Sequence, residues 1–171
     1  MKKRNIVLTN LLTALIFIHG GMAKANRLSD RQEILQKSEW MSKGCNAGNI
    51  KQCYAYCASD FQEIQGDGKV IVLQESIKNI KQFYQQVSKY KFREEVIRIN
   101  VDGNLAGVVG VAYSESIIGN KLIYRQTPYE DLWEKTDDSW LLISRSWYQG
   151  NDNQVVIKSN AKKSRVLGID H

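Results

Sequence analysis

Residues 129–148 read YEDLWEKTDDSWLLISRSWY, and this stretch decides the fold. Two runs of alternating apolar and polar residues meet at Asp137-Asp138, a turn-forming pair. Runs of this length joined by so short a connection make an antiparallel hairpin. A strand turns every second side chain to the same face. If Trp133 and Trp147 face inward, then Tyr129, Asp131, Arg125, Ile143 and Arg145 share their side.

Upstream, the same texture repeats. Residues 91–101 end at Asp102-Gly103-Asn104, and residues 105–118 end at Gly119-Asn120. Together with 121–136 and 139–148 they predict a four-strand antiparallel meander. Val96, Arg98 and Asn100 alternate with Ile97, Ile99 and Val101, as one exposed and one buried face would. Ahead of the meander, Leu73, Ile77, Ile80, Phe83, Tyr84, Val87 and Tyr90 recur at helical spacing, which predicts a long amphipathic helix. Residues 61–65 and 70–72, around Gly66-Asp67-Gly68, predict a short hairpin.

Two helices are expected before that hairpin. Ser29-Asp30-Arg31-Gln32 reads as a capping box, with Ile34, Leu35, Ser38 and Met41 on one face and Gly44 as the stop. Asn46 or Asn49 caps a second, shorter helix through Ile50, Cys53, Tyr54 and Cys57. Helices followed by a run of strands give an α+β domain. The expected form is a cone-like curved antiparallel sheet wrapped around the long helix, with two further N-terminal helices. A concave sheet that its helices do not fill leaves a cavity.

The first 25 residues read as a cleavable signal peptide. Lys2, Lys3 and Arg4 precede a largely apolar stretch, 6–18, and Ala23-Lys24-Ala25 is a small-x-small cleavage site. The apolar stretch is short of the roughly 20 residues a spanning helix needs. The expectation is a periplasmic or secreted protein with no membrane span after cleavage. Its domain covers 26–150 and a basic tail covers 151–171. The whole chain of 171 residues carries +6, but residues 1–25 hold four of the bases and no acid, so the remainder carries +2. That argues against nucleic acid as a partner. The residual excess, Lys158, Lys162, Lys163 and Arg165, lies in the tail.

Cys45, Cys53 and Cys57 allow one disulfide in an oxidising compartment and leave one thiol over. Cys53 and Cys57 lie one turn apart if 49–57 is helical, and Cys45 reaches Cys53 only if the intervening loop folds back. His19 and His171 are the only histidines, one in the leader and one at the terminus. No metal site is therefore expected, and no cofactor.

The segments Gly48-Asn49-Ile50, Tyr56-Cys57-Ala58-Ser59-Asp60-Phe61 and Asp67-Gly68-Lys69 resemble the early part of nuclear transport factor 2-like domains. Residues 129–142 resemble their closing hairpin, whose usual form is D-x-W-x-K-x-D-G-x-W-x-L, and Ser144-Arg145-Ser146-Trp147 continues it. The resemblance spans about residues 30–148 and is nearest the SnoaL-like bacterial branch. It implies a cone-shaped α+β barrel, often paired through the sheet as a homodimer. Such domains include ketosteroid isomerase, scytalone dehydratase, polyketide cyclases and pure binding or assembly modules, so fold does not select function.

Ketosteroid isomerase chemistry needs a carboxylate base and an oxyanion pair of tyrosine and protonated aspartic acid. Alignment on Trp147 and Asp131 puts Asp131 at the oxyanion acid, Gln65 at the base and Met41 at the tyrosine. One role of three survives. Without a usable histidine, the acids left to face a cavity are Asp60, Glu63 and Asp131. Asp60 is expected to cap or anchor the turn after helix two. Asp131 and Arg145 form either a structural pair across neighbouring strands or a ligand-orienting one.

The expected function is an exported domain that binds a small apolar ligand or a protein partner without catalysis. Its ligand-binding residues would be Trp133, Trp147, Tyr129, Arg145, Arg125, Tyr113 and Phe83. The alternative is a small isomerase, dehydratase or cyclase acting through Asp131 and pocket tyrosines.

Overall fold

The structure, a computed structural model, describes residues 23–137 and 139–156. The element order is α1 (Ala23–Asn46), α2 (Ile50–Cys53), β1 (Cys57–Ile64), β2 (Val70–Val72), α3 (Leu73–Gln86), β3 (Val87–Asp102), β4 (Leu105–Ile118), β5 (Lys121–Thr136), β6 (Ser139–Trp147) and β7 (Asn151–Val156). The meander is β3–β4–β5–β6, antiparallel throughout. Gly103 and Gly119 turn its first two corners with positive φ, which costs glycine nothing.

The sheet as a whole is mixed, which differs from the all-antiparallel expectation. β1 pairs parallel with β6 and antiparallel with β2, giving the order β2-β1-β6-β5-β4-β3. A parallel pair joins segments far apart in the chain, so no local turn announces it.

Several local readings shift. α1 begins before Ser29, so Ser29 and Asp30 lie inside the helix and form no capping box there. Asp30 instead accepts hydrogen bonds from Lys135 Nζ (2.6 Å) and Trp140 Nε1 (3.0 Å), tying α1 to the closing hairpin. Ile34, Ser38 and Met41 are buried as read, but Leu35 is exposed. Gly44 does not end the helix. A Cβ there would lie 2.6 Å from the Cys53 nitrogen, so Gly44 admits the close approach of α2. Asn49 caps α2, accepting from the Gln52 amide. Asn46 instead accepts from the backbone amide of Phe92.

α2 stops at Cys53 and Cys57 opens β1, so the two never share a helix face. The loop between Cys45 and Cys53 folds back, and these two form the disulfide. α3 ends at Gln86. Val87 and Tyr90 belong to β3, where a β-branched and an aromatic residue fit a pleated surface.

The core is built on the sheet and α1 rather than α3. Ile34 and Met41 of α1 pack with Phe61, Ile99, Val108, Tyr129, Trp133, Trp140 and Leu142. The only buried residue of α3 is Ser76, and its apolar face is half-buried. Ordered chain also continues past residue 150. β7 pairs with residues 121–126 of β5, the half of that strand that β6 leaves open. The basic residues from Lys158 onward, and nearly all of the expected signal peptide, lie outside the described residues.

Candidate functional site

Two irregularities in the sheet aim the site. In β6 the register slips between the Leu132↔Ser144 and Trp133↔Leu142 pairs, making Ile143 the extra residue of a bulge. The inward face therefore runs Trp140, Leu142, then Arg145 and Trp147; Ile143 is not part of it, contrary to the strict period-two reading. In β3 a second shift skips Ile97, which is exposed, so Glu94 and Val96 face inward together with Ile99 and Val101.

These two shifts bring one arginine between two carboxylates. Arg145 donates from Nε and a terminal nitrogen to the two oxygens of Asp131 (2.6 and 2.7 Å). Its other terminal nitrogen donates to Glu94 Oε1 (2.6 Å). The Asp131, Glu94 and Arg145 side chains are 1%, 6% and 12% exposed. Burial first, and the neighbouring Asp131 charge, raise the Glu94 carboxyl above its ordinary range although Arg145 pulls it down. For Arg145, burial works against its charge, and the two carboxylates more than offset it, holding its pKa well above the usual value. The guanidinium also covers the ring faces of Tyr129 (4.7 Å) and Trp147 (5.1 Å). Gly110 leaves room for that tyrosine, since a Cβ there would stand 2.6 Å from its phenol.

Above this floor opens a cavity of about 470 Å³, within the range of small-ligand sites. Its walls include Met41, Tyr54, Phe61, Tyr90, Phe92 and Trp147. A second cavity, of about 640 Å³, adjoins it and shares Tyr54, Glu63, Tyr90 and Arg125. Glu63 stands at that junction. Its Oε1 accepts from Trp147 Nε1 (2.8 Å) and Gln65 Nε2 (2.7 Å), and its Oε2 accepts from Ser76 Oγ (2.5 Å). Arg125 reaches both cavities with its charge forked onto Asp152, at 2.8 Å for each bond.

The expected residues divide accordingly. Arg145, Trp147 and Arg125 line the first cavity, and Phe83 lines the second. Tyr129 and Asp131 lie beneath them, Asp131 with both oxygens on Arg145. Trp133 is fully buried in the core and lines neither cavity. Tyr113 points away, on the opposite face of β4 from Ala112 and Ser114, under the Arg93 guanidinium (3.8 Å). Asp60 is exposed on β1 rather than anchoring a turn. Met41 and Gln65, aligned with two isomerase roles, both line the first cavity. Tyr90, Phe92 and Glu94 were not singled out as site residues. Their signal is the period-two run 90, 92, 94, in a strand whose first residues, Val87 and Tyr90, also fit the helical spacing of α3.

Burial raises the remaining cavity hydroxyls and the thiol. Cys57, half-buried at the wall, is pushed up to about 12, chiefly by burial and against the pull of Arg145. Tyr54 is raised by burial first and the Glu63 charge second. Both are therefore neutral at physiological pH.

Solved structures match this architecture over most of their length. The fold is that of nuclear transport factor 2-like proteins. Hexachlorocyclohexane dehydrochlorinase LinA-type3 from Novosphingobium barchaimii LL02 superposes with a TM-score of 0.69 at 12% identity, covering 77% of this chain and 93% of that one. An NTF2-like protein from Cytophaga hutchinsonii gives 0.59 at 13%, covering 69% and 96%. An NTF-2 like protein of unknown function from Shewanella oneidensis MR-1 gives 0.58 at 18%, covering 70% and 98%. The fold thus serves an enzyme as well as proteins with no assigned activity. No protein-family model and no curated protein matches the sequence.

Proposed function

We propose that this chain is an exported binding domain that holds a small, largely apolar ligand in the cavity above Arg145, without catalysis. The observation that carries this reading is the state of the cavity floor. Asp131, the best aligned acid, has both oxygens occupied by Arg145, leaving it poorly placed to take a substrate proton. Around that floor stands an aromatic wall of ligand-sized volume. The enzymatic alternative through Asp131 needs that ion pair to open.

The test uses a neutral fluorescent probe, N-phenyl-1-naphthylamine, with the purified protein. One-to-one binding is expected, and Trp147→Ala should weaken it about tenfold or more, since it removes a large aromatic contact. Absence of probe binding, together with no small molecule carried through purification by native mass spectrometry, would overturn the reading.

Export belongs to the same proposal. The basic start, the short apolar stretch and Ala23-Lys24-Ala25 support cleavage after Ala25 and residence in the periplasm or outside the cell. Intact-mass measurement of protein recovered from the cell envelope should give a chain beginning at Asn26; a mass retaining residues 1–25 refutes it. Among the described residues no helix is long and apolar enough to cross a membrane. Pairing of two copies through the sheet, which the resemblance implies, finds support in Leu132, exposed on the outer face between buried Asp131 and Trp133.

A further inference from the structure

We infer that the ligand carries a protonated amine, seated on Glu63 at the junction of the two cavities. This rests on the binding reading and narrows it to organic cations. The charged groups of the cavity walls are matched with one exception. Arg125 is matched by Asp152, and Lys69, at the rim of the second cavity, by Glu75 at 2.9 Å. Arg145 is committed to Asp131 and Glu94. Asp67, also on the second cavity, accepts from the Lys69 backbone amide (2.9 Å) in the exposed hairpin turn.

Glu63 differs from all of these. Its three donors, from Trp147, Gln65 and Ser76, are neutral groups, and among the described residues it makes no salt bridge. A carboxylate offers about four lone-pair sites. Oε1 receives two bonds and Oε2 one, so one site on Oε2 is open to a further donor. An ammonium N–H fits that site, whereas a carboxylate or phosphate would meet like charge there. The surrounding rings of Tyr54, Tyr90, Phe92 and Trp147 suit both an apolar body and a cation against aromatic faces. The Glu63 charge is felt at Tyr54, where it adds to burial in raising the phenol.

The experiment compares 2-phenylethylammonium with its near-isostere 2-phenylethanol by calorimetry at pH 7. The ammonium should bind about tenfold or more tightly, the size expected of a charge-assisted hydrogen bond. Glu63→Gln should collapse that preference toward unity. Its carbonyl oxygen can still accept from Trp147 and Gln65, and the Ser76 hydroxyl can rotate to accept from the new amide, so the variant should fold. An ammonium that binds no better than the alcohol overturns the inference, as does a preference that survives Glu63→Gln. If N-phenyl-1-naphthylamine still binds in those cases, the cavity reading stands and only the charge assignment falls. If that probe fails too and no small molecule is carried through purification, both fall.

Discussion

Asp131→Asn is expected to lower the unfolding free energy by about 3–5 kcal/mol, the range for breaking one partner of a buried ion pair. Asp131 supplies two of the three bonds that satisfy Arg145. An asparagine keeps a single acceptor oxygen and turns an amide N–H toward the guanidinium. The buried guanidinium charge would then be met by the Glu94 carboxylate and one neutral acceptor. Urea denaturation at pH 7 reads the change directly, and a loss below about 1 kcal/mol would show the pair to be screened by water. Glu94→Gln should act in the opposite sense. The Glu94 carboxyl is raised in the folded state, so its contribution to stability is fully present below the unfolded carboxylate pKa. It is lost as pH rises through the folded value. A glutamine keeps the acceptor for Arg145 without the charge. It should be more stable than the wild type at pH 8 and indistinguishable near pH 4, and the reverse order would refute this account of Glu94.

The contrast between these two acids marks what the sequence makes legible. Asp131 shares a face with Arg145 if Trp133 and Trp147 both point inward, and the bulge at Ile143 meets that premise; strict pairing back from Asp137-Asp138 would set Asp131 opposite Ser144. Glu94 shares a face with Tyr90, Phe92 and Val96, but the bulge at Ile97 breaks the alternation that would join that face to Ile99 and Val101. The same holds for Ile143: strict alternation puts it inward, and one inserted residue puts Leu142 there instead. Turns and amphipathic periods are short-range, so the meander, the β1–β2 hairpin and the existence of three helices could be read directly. Which helix fills the sheet is a long-range choice. α3 has the cleaner apolar stripe, yet α1 enters the core through Ile34 and Met41, and α3 stays half-buried beside β1. β7 was hidden for a related reason. Its sequence, Asn151–Val156, is too polar to announce a strand, and its pairing is fixed by the half of β5 that β6 does not reach. Glu63 was visible as a candidate acid. Its open lone pair was not, because Ser76, Gln65 and Trp147 come to it from α3, β1's end and β6.

Trp133→Ala should be as damaging to stability as Asp131→Asn, yet leave the site's affinity nearly intact, which separates it from Trp147→Ala. The two tryptophans look alike in sequence, each two residues after a charged member of the same ion pair. Across the sheet they differ. Trp147 stands opposite Tyr129, beyond the ion pair, and reaches the cavity; Trp133 stands opposite Leu142 and Ala106, inside the core. Removing a fully buried indole costs about 3–5 kcal/mol, the lost transfer energy plus the void left behind. Part of that is offset, because among the described residues the Trp133 indole N–H has no hydrogen-bond partner, and an unmet buried donor carries a penalty of about 1–3 kcal/mol. Trp133→Phe removes that donor while keeping a ring, so it should cost markedly less than alanine. Urea denaturation of both variants, with N-phenyl-1-naphthylamine titrations on the folded protein, checks the two halves together. A Trp133→Ala protein that keeps its stability, or that stays folded and loses the probe as Trp147→Ala does, would return Trp133 to the binding surface and put this division of roles in error.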